Sequence, residues 1–120
     1  MPRKIDTPTR IEAPGTPPKQ ILEYIGHVNS DESRLSLAHM RSPSGWSEPI
    51  QTPTFAEFTM VLGGTLHIEH EGGLMTIDAG QAVVCEPGEW VRYSTPGADG
   101  AEYIAVCLPA FSPDSVNRKD

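Results

Sequence analysis

Twelve prolines and eleven glycines interrupt this 120-residue chain so often that a helix of three turns has little room to form. A proline inside a helix removes a hydrogen bond and clashes with the preceding turn, and a glycine there adds conformational entropy to be lost. No window repeats its apolar residues at the helical period for three turns. Between the breaks the pattern is alternation, in which every second side chain is apolar. The class this implies is all-β.

The strands can be placed from their punctuation. Residues 20–28 (QILEYIGHV) read as a strand, followed by the polar turn NSDESR. Residues 35–40 alternate and stop at Ser42, Pro43, Ser44 and Gly45. Residues 55–62 form a strand that ends at Gly63 and Gly64, and residues 65–71 form the next, with Leu66 and Ile68 on one face and His67, Glu69 and Glu71 on the other. Gly72 and Gly73 supply a tight hairpin before LMTID returns. QAVVC, WVRYS and residues 101–108 are further strands, separated by turns at Gly80 and at Pro87 and Gly88. Many short strands at this spacing predict a sandwich or a barrel. The boundaries read from composition are a Pro-rich arm over 1–19, disordered or strapped along another surface, a barrel over 20–112 and a polar tail over 113–120.

Charge narrows the partners. Nine Lys and Arg stand against sixteen Asp and Glu, a net charge of -7, so there is no broad basic surface to neutralise phosphates. Nucleic acid and anionic membranes are excluded as expected partners. The N-terminus MPRKIDTPTR holds no apolar signal core, and a cytoplasmic location is expected. Cys85 and Cys107 each lie in an apolar strand-like run, as reduced, buried thiols do.

One spacing is more specific. Gly45, Gln51, Pro53, Glu57 and Gly64 keep the intervals of G-x5-H-x-H-x3-E-x6-G, and Gly80, Glu86, Gly88, Val91 and Thr95 keep those of G-x5-P-x-G-x2-H-x3-N. Fifteen residues separate the two. These are the two motifs of the cupin superfamily, which the chain resembles over residues 35–108. The resemblance implies a single-domain cupin, a jelly-roll-like barrel or double-stranded β-helix, with one pocket. It also implies a divalent metal held by imidazoles and one carboxylate. Here only Glu57 keeps its identity, because Pro53 and Val91 carry no donor and Gln51 offers a weak amide oxygen. Two cofactor states remain open: none, or a divalent metal weakly held by Glu57 and Gln51 with help from Glu48, His39 or Tyr93.

Glu57 shares a strand face with Thr59 and Val61, and that face points into the barrel if the motifs align. A carboxyl there must be paired, protonated or metal-bound. The partners expected for it are Arg92, Tyr103 or Tyr93. Gln51 and Tyr93 are candidates to orient a ligand, and Trp46 and Trp90 are candidate aromatic rims. His67 and His70 fall on opposite faces of one strand and make poor joint ligands. Three functional classes follow, the last of them a divalent-metal enzyme that uses noncanonical ligands, Glu57 and Gln51 among them. The first is a small-molecule-binding cupin, an isomerase or lyase acting on a small polar metabolite through Glu57. The second is a non-catalytic sensor or assembly module whose barrel is filled by its own side chains. Strands apolar on both faces, such as YIAVCL, need cover on two sides and point to a homodimer.

Overall fold

The structure, a computed structural model, describes residues 1–13 and 15–116. Its strands are β1 (Thr9–Ile11), β2 (Gln20–Ile25), β3 (Ser36–Ser42), β4 (Trp46–Ser47), β5 (Ala56–His70), β6 (Gly73–Asp78), β7 (Ala82–Cys85), β8 (Arg92–Thr95) and β9 (Ala101–Leu108), followed by a 3-10 turn at Pro113–Ser115. All the pairings are antiparallel. One sheet runs β1-β2-β3-β9-β5-β7 and the other β6-β5-β8-β4. The two share β5, and the sheets curl over a common interior.

β5 departs from the sequence reading, which ends a strand at Gly63 and Gly64 and starts another at Thr65. The chain runs straight through as a bulge, with the register against β9 shifting between Val61 and Gly63. Gly64 adopts a φ of +69°, and a Cβ there would overlap the carbonyl of Gly100. Only glycine fits both the positive φ and this close approach. The bulge also changes the phase of alternation. Before it Glu57, Thr59 and Val61 are buried, and after it Leu66 and Ile68 are. One strand thus lines the inside of both sheets.

The interior is divided. Trp46, Val61, Leu66, Ile68, Ile77, Val91, Tyr93, Ala101 and Tyr103 form the main core cluster. Each fully buried aliphatic side chain among them contributes about 1.5–3 kcal/mol. Toward β2, β3 and the inner face of β9 the packing gives way to a cavity.

The segments on either side of the central strands lie on the barrel as far as they are described. The N-terminal arm is strapped: β1 pairs with β2, and further on Thr16 and Ser47 exchange backbone hydrogen bonds of 3.0 and 3.2 Å. At the other end the amides of Thr52 and Thr54 donate to the carbonyls of Val116 and Ser115 at 3.1 and 2.8 Å. Val116 packs with Phe55 and Cys107. The rest of the tail expected over 113–120, residues 117–120, lies outside the described residues. Both cysteines are free thiols, and no helix among the described residues is long and apolar enough to cross a membrane.

The bulge supplies a stability test. Replacing Gly64 by alanine forces a side chain into left-handed backbone against the Gly100 carbonyl, and should destabilise the fold by about 2 kcal/mol or more. The expected reading is a clear fall in the urea midpoint with the slope unchanged. An unaltered midpoint would mean that the bulge is not rigid.

Candidate functional site

Glu57 reaches the interior because β5 holds it between Cys85 of β7 and Cys107 of β9, and alternation turns it inward. It is 7 % exposed. Its partner is Tyr93, one of the three expected, whose phenol donates to Glu57 Oε1 at 2.9 Å. A phenol has one proton, so at the 3.3 Å contact between Tyr93 Oη and Cys85 Sγ the thiol is the donor. A line of hydrogen bonds therefore runs from Cys85 through Tyr93 to Glu57. Arg92, another expected partner, instead donates to Glu69 at 2.7 Å.

Burial is the largest influence on these groups. It raises the Glu57 pKa, and the Tyr93 hydrogen bond and the Lys19 charge only partly offset it. Burial, then the charge of Glu57, raises Tyr93 well above the ordinary phenol range. Burial, partly offset by Tyr93, also raises Cys85. The phenol and thiol stay protonated, and the carboxyl is shifted toward titration nearer neutrality.

Glu57 and Tyr93 border a cavity of about 190 Å³. Gln51, Glu57 and Tyr93 all line it, and so does Lys19, from the strap. Gln51 is placed by reciprocal backbone hydrogen bonds with Val91, 2.9 Å each way, which set the first and last motif positions side by side. Two other candidates fall elsewhere. Trp46 is 1 % exposed and belongs to the core cluster, and Trp90 borders a separate surface groove with Met75 and Val84.

The metal implied by the motifs does not fit this donor set. Val91 is packed in the core and Pro53 is buried without a donor side chain. Glu57 is engaged by Tyr93, and the ammonium of Lys19 borders the same cavity. His39 cannot assist, since it faces outward and meets Glu102 at 2.6 Å. No group of three His, Cys, Asp or Glu side chains among the described residues is arranged to hold an ion.

Lys19 is the pocket residue that the sequence reading passed over. It lies in a Pro-rich arm with no periodicity, and it reaches the site through Tyr103, 84 residues away. The signal available was indirect: a carboxyl expected inside a barrel calls for a nearby cation or proton.

A pH test follows from Glu57. A carboxyl whose folded pKa is raised above its ordinary 4.5 contributes its full share of stability below that value, and loses it as pH rises through the folded pKa. Glu57→Gln cannot ionise. Its melting temperature relative to the native chain should therefore rise as pH increases above the ordinary 4.5. A difference independent of pH would show that Glu57 does not titrate as a buried group.

No protein-family model matches the chain. Endoribonuclease YbeY of Myxococcus xanthus is 40% identical over 96 residues, which make up 80% of this chain and 33% of that protein. The chain thus spans about a third of the length of that curated relative. Among solved structures it is similar to the polyketide cyclase RemF of Streptomyces resistomycificus (TM-score 0.79, 15% identity, 100% of this chain and 87% of that one). It is similar also to a putative ethanolamine utilization protein Q of Salmonella typhimurium (TM-score 0.69, 20% identity, 87% and 97%). A third is a predicted oxalate decarboxylase of Thermotoga maritima (TM-score 0.70, 22% identity, 86% and 92%). All three have the same curled antiparallel fold, and at these identities it is the fold that is shared. With both motif spacings kept and the architecture matched over 86% or more of the chain, the chain has the cupin fold.

Proposed function

We propose that this protein binds a small polar metabolite in the barrel cavity and moves a proton on it through Glu57, as an isomerase or lyase does. The observation that carries the reading is a buried carboxyl bordering a cavity, fixed by one phenol and shifted toward the pKa range where general acid–base catalysis near neutrality works best. In such a step Glu57 takes a proton from a ligand carbon. It then returns the proton to a neighbouring carbon, or to a departing group. Tyr93 holds the carboxyl in position, and Gln51 orients the ligand. The walls are largely apolar, and about 190 Å³ lies below the range of drug-sized sites, so the ligand is small.

The rival reading, a barrel filled by its own side chains, describes only the half occupied by the main core cluster. The half that holds Glu57 is open. Endoribonuclease activity is not carried over from the Myxococcus protein. The matching region is a third of that protein, and an acidic chain with a cavity of this size is poorly suited to a polynucleotide.

The test combines ligand-observed NMR on a panel of small polar metabolites with deuterium uptake from D₂O into those that bind. Glu57→Gln should lower deuterium uptake by roughly a hundredfold or more while binding changes little. If binding and uptake are both unchanged in the variant, Glu57 has no such role.

We propose in addition that a second copy of the chain covers the outer face of the β3-β9-β5-β7 sheet. Phe58 stands opposite Val106 and Val84, and Met60 opposite Ile104 and Ala82, so the apolar outer side chains are contiguous across strands. Phe58, Met60, Leu62, Val84 and Leu108 are exposed there. Charge favours this face for self-association. In a chain of net charge -7, Glu102 on it is paired with Arg41 and His39. Light scattering should give twice the 13.0 kDa chain mass, and Met60→Glu should return it to the monomer value. A monomeric mass for the native chain at micromolar concentration overturns this proposal.

A further inference from the structure

The N-terminal strap ends in an arrangement that the cupin motifs do not account for. After β1 the chain crosses to β4, where Thr16 pairs with Ser47, and comes back to β2 at Gln20. Gly15 makes the seat possible. Its φ is +109°, and a Cβ on it would lie 2.5 Å from both Ser47 O and Trp46 Nε1. The backbone therefore rests directly against the indole.

Lys19, the last residue of this crossing, turns its ammonium inward. Nζ lies 4.3 Å from the centroid of the Trp46 ring and 5.7 Å from that of Tyr103. Among the described residues its hydrogen-bond acceptors are Tyr103 Oη at 3.4 Å and Met40 Sδ at 3.7 Å. The oxygen contact is long for a charged donor, which ordinarily reaches an oxygen at about 2.7–2.9 Å, and a thioether sulfur is a weak acceptor. Tyr103 is itself occupied, sharing a 2.9 Å hydrogen bond with Ser42. Burial alone would lower the Lys19 pKa, but Tyr103, then Glu48 and Glu57, outweigh it, and the net direction is upward. The side chain is a cation, held by aromatic faces and bordering the cavity, with donor capacity its protein acceptors use poorly.

The acidic groups around the cavity do not duplicate it. Glu23 is a structural carboxylate, accepting the amides of Val28 and Asn29 at 3.0 and 2.8 Å. Glu12 is at the exposed margin. Glu48 acts on Lys19 through space. Glu57 accepts from the Tyr93 phenol, and burial disfavours its charged form, so it opposes a ligand's negative charge less than an exposed carboxylate would. A ligand group that only accepts hydrogen bonds and carries negative charge would complement Lys19.

We infer that Lys19 is a ligand-binding residue: the strap fixes its ammonium in the cavity as a built-in cation that receives the carboxylate of a small carboxylic acid, at the end of the barrel where the cupin motifs lack a metal. This inference deepens the proposed function and rests on its claim that the cavity binds a small molecule. It gives the N-terminal arm a direct part in the pocket. It also assigns the ligand a charge.

The experiment compares acetate, butyrate and benzoate with acetamide, butyramide and benzamide, and with butylamine. Titrations are followed by the fluorescence of Trp46 in a Trp90→Phe background and by protein-observed NMR. Matched acids and amides have nearly the same shape, so the comparison isolates charge. At least one acid should bind roughly ten- to a hundredfold more tightly than its amide, as expected for a charged hydrogen bond, and quench Trp46. Lys19→Met should abolish that preference while the apolar contribution to binding remains, with a cooperative melt confirming the fold. Lys19→Gln provides a second neutral variant should the first fail to fold. A preference that survives both substitutions, or an amide or amine that binds the native chain as well as the acid, overturns the inference and leaves the small-molecule cavity standing. Absence of binding by every probe overturns both.

Discussion

The phase shift in β5 determines what this barrel can hold. A strand that lines two sheets at different angles cannot present the same alternate residues to both without a break in its pleat. Gly63 and Gly64 provide that break, and the close approach of Gly100 holds it in place. Upstream, the inward set is Glu57, Thr59 and Val61. Downstream, it is Leu66 and Ile68. Without the shift, Thr65 and His67 would face the core, and the packed half of the barrel could not form. The polar and apolar halves of the interior are thus two registers of one strand.

Much of this was legible in the sequence because the motif spacings encode turn geometry more than chemistry. Gly45, Gly64, Gly80 and Gly88 all have positive φ, and they keep their intervals although most ligand positions between them have changed. Glu57, Gln51 and Tyr93 could therefore be placed near one another before any coordinates. The errors have local causes. Gly63 and Gly64 look like a turn, and only contact with a distant carbonyl makes them a bulge. Trp46 follows a glycine turn and looks like a rim residue, but the strap lies over it and completes its burial. Lys19 was out of reach of periodicity altogether, since its position depends on aromatic rings from β4 and β9.

The changes at the motif positions are chemically consistent with one another. Val91 joins the apolar core, Pro53 is buried with its carbonyl accepting the Gly88 amide, and Gln51 is tied to Val91 through the backbone. These positions now support the loops around the pocket. Of the motif's ligand set only a carboxyl remains, restrained by a phenol, and an ammonium and other carboxyl groups border the same space. A site of this kind holds its electrostatics in covalently attached groups, so its properties follow the protonation of the chain itself.

The strap and the C-terminal segment have a shared topological consequence. Ile11, Glu12 and Lys19 line one part of the cavity, and Phe111 and Pro113 another. The pocket is thus finished by segments that lie outside the central strands along the chain, so its shape depends on both of them staying seated on the barrel.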